Sequence, residues 1–217
     1  MQQASDFREE SLTLKALIAD LDDAGFEKTT QFKSWTINDV FRHLHFWNKA
    51  VMVATEGDEA FAAFFEGVGA HMMKGGSLPE YEKAYLDGLS GGALRQAWAS
   101  LVDETSDAYA ALDPSSRVPW AGPSMSARSA ISARQMETWA HGQEVFDALG
   151  EDRDEHDRIR NIVVLGINTF GWTFKVRGET PPEPMPFVSL VSPSGEVWTY
   201  GESQQSNFIQ GDAVDFA

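Results

Sequence analysis

The spacing of apolar residues is the sequence feature that most constrains how this chain can fold. Four segments carry apolar side chains at intervals of three and four residues, which is the pattern of a helix with one buried face. These segments cover about residues 8–23, 37–55, 93–113 and 126–149. Four long helices joined by connections of different lengths predict a four-helix bundle.

The helix predicted over about 37–55 has a recognisable start. Thr36 and Asp39 stand three residues apart at its N-terminus, and this spacing is that of a capping box, in which each side chain accepts a hydrogen bond from a backbone amide. The pattern between this helix and the next long one is weaker. Only short helices are expected there, at about 59–65 and 80–88, with glycine and proline between them.

The sequence changes character after Gly150. A charged linker at 151–157 leads into one more segment of helical spacing, at about 158–175. Two strand-like stretches then flank Pro193-Ser194-Gly195, and this order favours a β-hairpin. The two stretches are residues 187–191 and 196–200.

The predicted fold is therefore mainly α and has two parts. Residues 1–150 are expected to form the four-helix bundle, and residues 151–217 a small α+β appendage with a hairpin. Hydrophobic residues make up 42% of the chain, which is enough for a core without covalent cross-links. There is no cysteine, so disulfides, zinc ribbons and thiol nucleophiles of the chain itself are excluded.

The charge of the chain limits its partners. A formal net charge of −16 disfavours binding to nucleic acid and to anionic membranes, and its simplest interpretation is an acidic surface that maintains solubility. The first residues carry no basic, apolar leader, and no apolar run approaches the roughly 20 residues of a membrane span. We therefore expect a soluble, cytoplasmic protein with neither nucleic acid nor membrane as partner.

Glu137 and His141 stand four residues apart on the fourth long helix. They therefore project from one face, one turn apart, which is a spacing suited to holding one metal ion. By itself such a pair is more often a hydrogen bond on the protein surface. However, Ile131 and Val145 lie on or beside the same face, so the pair points toward the bundle interior, where an acid is costly to bury without a charged partner.

The second long helix supplies a third candidate. His43 lies about 60° from Val40 on a helical wheel, near the middle of the apolar stripe, whereas His45 lies on the opposite side. We therefore expect His43 to point inward and His45 to point toward solvent. A lone inward histidine is usually a satisfied core residue. Two inward histidines and one inward glutamate on two bundle helices favour a metal site, because bundle cores are where helical proteins build them.

The ligand set His43, Glu137 and His141 offers nitrogen and oxygen donors and no sulfur. This set favours zinc, with nickel, iron or manganese also possible. Three protein ligands leave a position for water or substrate, which is typical of catalytic rather than structural zinc. No catalytic side chain can be assigned from the sequence.

Further residues near this trio each have two interpretations. Asp39 could accept the second ring N–H of His43, or it could serve only the helix cap, which is the favoured role. Glu144 could support the site, or it could be a solvated acid at the edge of the stripe. Trp35 and Trp139 could wall the site, and His71 and His156 are expected on the surface.

Two motifs resemble those of a known superfamily. The segment SWTINDVFRHL (34–44) resembles the W-T-x-x-D-v-x-x-H-L signature of the DinB-like superfamily. The segment ETWAHGQE (137–144) is similar to E-x-x-x-H-x-x-D, the second signature of its mycothiol-dependent maleylpyruvate isomerase N-terminal, metal-binding branch, with Glu144 in place of Asp. The resemblance implies a four-helix bundle in which His43, Glu137 and His141 bind a divalent metal, commonly zinc. It also implies that a complete C-terminal domain would continue with another helix, so residues 151–217 are expected to be a short or truncated form.

The resemblance leaves three functions open. The first is a zinc-dependent enzyme that uses a low-molecular-weight thiol and an electrophilic substrate, either as an isomerase or as an S-transferase. The second is a metal-dependent hydrolase. The third is a non-enzymatic module that binds a metal or a small ligand. The expected partners are the thiol and the electrophile, and a homodimer is left open.

Overall fold

The structure is a computed structural model that describes all 217 residues. Six helices form the first 153 residues, which make up one compact unit. These helices are α1 (Gln2–Leu17), α2 (Ile37–Ala54), α3 (Asp58–Met73), α4 (Leu78–Tyr85), α5 (Gly91–Ala111) and α6 (Ala127–Leu149). A two-residue hairpin, β1 (Arg117–Val118) with β2 (Met125–Ser126), lies between α5 and α6.

The four long helices α1, α2, α5 and α6 form the predicted bundle. Both α1 and α2 pack against α5 and α6. The two further helices, α3 and α4, also pack against α2, so α2 is covered on more than one side. As a result, 13 of the 18 residues of α2 are buried, and this helix is the centre of the unit.

The ends of the two helices that carry the candidate site follow from local chemistry. The predicted capping box is present at α2, where Thr36 Oγ1 accepts from the amide of Asp39 and Asp39 Oδ2 accepts from the amide of Thr36. At α6 the hydroxyl of Ser126 accepts from the amide of Ser129. Gly150 ends α6 at φ 73°, a left-handed conformation that glycine adopts without steric cost.

Two helix predictions are wrong in their bounds. The first helix begins six residues before the predicted residue 8, and its start was missed because its buried face includes the polar residues Asp6, Glu10 and Ser11. It ends at Leu17, before the predicted residue 23. The helix predicted at about 59–65 extends to Met73 as α3. No helix in the structure has the length and apolar composition needed to cross a membrane.

The second compact unit spans residues 154–217. It contains α7 (Arg160–Lys175), β3 (Phe187–Val191), β4 (Val197–Tyr200), β5 (Phe208–Asp212) and the short α8 (Ala213–Phe216). The predicted hairpin is present as the antiparallel pair β3–β4. The sequence did not predict β5, which pairs with β3 in parallel and gives the strand order β4-β3-β5.

Candidate metal centre

Three side chains meet between α2 and α6. Nε2 of His43 and Nε2 of His141 each lie 3.4 Å from Oε2 of Glu137. One nitrogen or oxygen atom from each residue lies within 4.8 Å of the other two. The three residues singled out in the sequence are therefore neighbours in space, and their role as metal ligands stays a prediction.

Glu82 on α4 is a further member of this cluster that the sequence did not identify. Its side chain has no solvent exposure, and its Oε1 lies 2.8 Å from Nδ1 of His43 and accepts a hydrogen bond of 3.1 Å from Nε1 of Trp47. The partners are separated by 39 residues in the chain. No local pattern could connect them, because α4 follows a segment without clear periodicity.

Asp39, the alternative partner for His43, serves the helix cap as favoured. Its Oδ2 accepts from the backbone and hydroxyl of Thr36, and its Oδ1 accepts from Arg42. Both of its oxygens are therefore engaged away from the imidazole. Arg42 in turn donates to the carbonyl of Leu89, which fixes the start of α2 against the segment before α5.

An aromatic wall covers the two histidines. The ring of Trp35 stacks on His141 with a centroid distance of 5.7 Å and also lies 5.3 Å from the ring of His43. Phe32 meets His141 edge-on at 5.1 Å. Glu144 supports this wall, because its Oε2 accepts from the backbone amide of Phe32 at 3.1 Å.

Trp139 does not belong to that wall. Arg153 lies over its ring at 5.1 Å and donates to its carbonyl. Trp139 therefore packs on another side of α6.

Of the two remaining histidines, His156 is exposed as predicted. The side chain of His71 is one-third exposed, and its Nε2 lies 3.1 Å from the carbonyl oxygen of Ser77.

The site opens into a cleft of about 770 Å³. Its apolar lining comes from the aromatic wall and from α3 and α4, through Phe32, Trp35, Met72, Leu78 and Pro79. Lys33 is the only lysine or arginine in the lining, and its Nζ lies 5.0 Å from the ring centroid of Phe32. The cleft thus combines apolar walls, one cation and the three polar groups of the trio.

A buried arginine lies beneath the trio. Arg134, one turn before Glu137, has its Nε 3.0 Å from Oδ1 of Asn48 and its Nη2 3.5 Å from the carbonyl of Leu44. Burial lowers the pKa of Arg134 to about 10, against the opposing effect of the Glu137 and Glu82 charges. The guanidinium therefore stays charged at neutral pH.

The charges in the site favour an ionised Glu137. Burial, the largest single effect, raises the pKa of this carboxyl, but hydrogen bonds from His141 and His43 lower it. The charge of Arg134 acts in the same direction, so the pKa of Glu137 falls well below its ordinary value. For His43, burial lowers the pKa, and the hydrogen bonds to Glu137 and Glu82 raise it to a net value above the ordinary one.

The expectation that His45 points to solvent is wrong. His45 is 4% exposed, and its Nδ1 has no hydrogen-bond partner. Burial, with a smaller effect from Lys49, lowers the pKa of His45 to about 4. The helical wheel failed here because α2 is covered on more than one side, with 13 of its 18 residues buried. His45 still takes no part in the trio, which lies on the other side of α2.

Similarity to known proteins agrees with this architecture. The family model for the mycothiol maleylpyruvate isomerase N-terminal domain matches residues 7–146. An uncharacterized protein found in two strains of Mycobacterium tuberculosis is 32% identical over 212 residues, which span 98% of this chain and 81% of that protein.

Two crystal structures are similar in fold. The mycothiol-dependent maleylpyruvate isomerase matches with a TM-score of 0.62 and 16% identity, over 99% of this chain and 85% of that chain. A histidine-to-alanine mutant of the same enzyme matches equally well. The family match spans the bundle and both motifs, and the chain therefore belongs to the family of the mycothiol maleylpyruvate isomerase N-terminal domain.

Proposed function

We propose that His43, Glu137 and His141 bind one divalent metal ion, and that the protein is an enzyme in which this ion activates a low-molecular-weight thiol. The observation that carries the proposal is the convergence of two imidazole nitrogens and one carboxylate oxygen at the floor of an apolar cleft. Membership of the isomerase family supports the same function.

The spacing of the three donor atoms supports a shared ion. Both nitrogen-to-oxygen distances are 3.4 Å, which is longer than the 2.7–2.9 Å of a charge-assisted hydrogen bond. Two ligands that each lie about 2.1 Å from a tetrahedral zinc ion are about 3.4 Å apart. These two donor pairs therefore make long hydrogen bonds at a spacing that two ligands of a shared cation would also have.

The charge balance supports it as well. Two carboxylates, those of Glu137 and Glu82, act on the single guanidinium of Arg134. This part of the site therefore favours a further positive charge, and the raised pKa of His43 reflects the same preference. Nitrogen and carboxylate ligands without sulfur suit zinc, and also nickel, iron or manganese. Three protein ligands would leave a coordination position for water or substrate.

The chemistry that such an ion supplies is the stabilisation of a thiolate, because coordination to a cation lowers the pKa of a thiol. The chain has no cysteine, so the thiol comes from a cosubstrate. The thiolate would add to one carbon of an electron-poor C=C bond, whose π electrons move to the neighbouring carbon. In an isomerisation, rotation about the resulting single bond and expulsion of the thiolate would restore the double bond. In an S-transfer, the neighbouring carbon would instead take up the proton that the thiol lost, and the C–S bond would be kept.

The residues of the cleft would bind and orient the two substrates. The walls formed by Phe32, Trp35 and Leu78 exclude water, which strengthens electrostatic interactions at the reacting atoms. Lys33 is suited to an anionic group on the thiol or on the electrophile. The mycothiol and maleylpyruvate named for the related enzyme are accordingly the first pair to test.

Turnover tests this function directly. Zinc-loaded protein should isomerise or conjugate an electrophilic acid such as maleylpyruvate when mycothiol is present, and should show no turnover without thiol. His141→Ala should abolish the reaction, while His156→Ala, which changes an exposed histidine, should leave it unchanged. Equal rates with and without thiol would contradict a thiol-dependent enzyme.

A further inference from the structure

Glu82 is a buried acid whose presence the packing of the bundle does not explain. It is completely enclosed on α4, and its Oε2 has no hydrogen-bond donor within the chain. Burying a carboxylate with one oxygen unpaired is unfavourable, and an apolar residue of similar size would usually be at least as stable there. The position of Glu82 therefore points to a role other than stability.

The second partner of Glu82 determines the direction of its hydrogen bond to His43. Trp47 Nε1 can only donate, so Oε1 of Glu82 is the acceptor in that bond. The same oxygen lies 2.8 Å from Nδ1 of His43. Because an ionised Glu82 can only accept, Nδ1 of His43 carries the proton and donates a hydrogen bond to Oε1.

When the imidazole is neutral, this arrangement leaves the lone pair of His43 on its other nitrogen. Nε2 is the atom that faces Oε2 of Glu137 and belongs to the trio. A histidine that binds a metal commonly donates its second N–H to a carboxylate, which fixes the tautomer and the ring orientation. His43 and Trp47 are one turn apart on α2, so a single oxygen of Glu82 is held by two groups of one helix face.

We propose that Glu82 is a positioning residue that fixes His43 as the Nδ1–H tautomer and so presents Nε2 to the metal. This inference rests on the metal site of the proposed function. The same hydrogen bonds tie α4 to α2, and α4 also supplies Leu78 and Pro79 to the cleft. Glu82 therefore contacts a proposed metal ligand and lies on the same helix as two residues of the cleft wall.

Two variants separate the effects of charge and hydrogen bonding. Glu82→Gln keeps an acceptor for Nδ1 of His43 but removes the charge, and it should weaken zinc affinity about 10-fold. Glu82→Leu removes the acceptor as well, and its loss should approach 100-fold. Glu66→Gln, which changes an exposed acid on α3, is the matched control and should bind zinc like the wild type. Affinity is measured by competition with a chromophoric chelator.

A second measurement reads the tautomer without any metal. Long-range ¹H–¹⁵N correlation of the histidine rings in the metal-free protein, at a pH above the raised pKa of His43, should show the neutral ring protonated on Nδ1 in the wild type and in Glu82→Gln. This preference should be lost in Glu82→Leu. A structural role alone would not change the tautomer, and Glu82→Gln carries the affinity test if Glu82→Leu does not fold.

The outcomes distinguish this inference from the function on which it rests. Wild-type zinc affinity in both Glu82 variants, or a neutral wild-type His43 protonated on Nε2 instead of Nδ1, would overturn the role of Glu82 and leave the metal site standing. A wild-type protein that binds no zinc, nickel, iron or manganese would overturn the metal site itself.

Discussion

At the scale of single residues, the sequence was sufficient to predict that the trio lies together, but it was not sufficient to predict the residues around it. His43, Glu137 and His141 could be placed together because each lies on a clear helical stripe. Glu82 and Arg134 were missed, since Glu82 lies in a weakly patterned segment and a fully buried arginine is rare. Both take part in the charge balance around the trio.

The charge of Arg134 stabilises the ionised form of Glu137 even without a metal. If Glu137 were a buried acid without compensating charges, Glu137→Gln would be expected to stabilise the metal-free protein. However, the pKa of Glu137 is lowered, not raised. A lowered pKa in the folded state stabilises the protein above the unfolded value of about 4.3. Below that value the contribution is lost as the pH falls toward the folded pKa.

Glu137→Gln should therefore destabilise the metal-free protein at pH 7, by an amount that shrinks as the pH falls below about 4. Urea denaturation of both proteins in chelator at several pH values measures this difference. Greater stability of Glu137→Gln at pH 7 would show that the carboxylate is not compensated by Arg134 and the two histidines.

Replacing Arg134 should lower the unfolding free energy of the metal-free protein more than Glu137→Gln does. Arg134→Met leaves Oδ1 of Asn48 without its donor and removes the positive charge next to two carboxylates, which should cost about 3 kcal/mol of unfolding free energy in chelator. Saturating zinc should reduce this loss, because a bound cation restores the charge balance. Chemical denaturation with and without zinc gives the comparison, and an equal loss in both would contradict a shared electrostatic cluster.

At the scale of elements, helices with local start and stop signals were predicted well. The capping box before α2 and Gly150 after α6 define those ends through contacts within a few residues. The start of α1 was missed because polar residues occupy its buried face, and β5 was missed because its parallel partner is remote in the chain. The start of α1 and the pairing of β5 depend on tertiary packing, which cannot be inferred from local sequence patterns.

The cap of α2 can be tested by itself. Thr36→Ala removes the hydroxyl that accepts from the amide of Asp39 and should cost about 1 kcal/mol of unfolding free energy. Thr55→Ala, at the other end of α2, removes only a bond to the carbonyl of Met52 and should change stability by less than about 0.5 kcal/mol. Equal losses in urea denaturation would mean that the capping box does not set the start of α2.

At the scale of the whole molecule, the proposed site lies entirely in the first compact unit. The trio, Glu82 and the residues of the cleft all fall within residues 1–153. The two-part organisation was predicted from the change of pattern after Gly150. Independent folding of the two parts is a further prediction.

A core substitution in the second unit tests that independence. Leu190 is 1% exposed on β3, and Leu190→Ala should cost about 3 kcal/mol through the cavity that it leaves. The second unit should lose protection from hydrogen exchange, while zinc stoichiometry and the protection of α2 and α6 stay unchanged. A loss of zinc binding in this variant would contradict a metal site confined to residues 1–153.

The central claim is that His43, Glu137 and His141 together hold one metal ion, and metal content tests it most directly. Wild-type protein, loaded with zinc and dialysed, should contain about one ion per chain by elemental mass spectrometry. His43→Ala and His141→Ala should each lose it, while His45→Ala and His156→Ala should retain it. Full metal content in His43→Ala and His141→Ala, with both variants folded, would contradict the account.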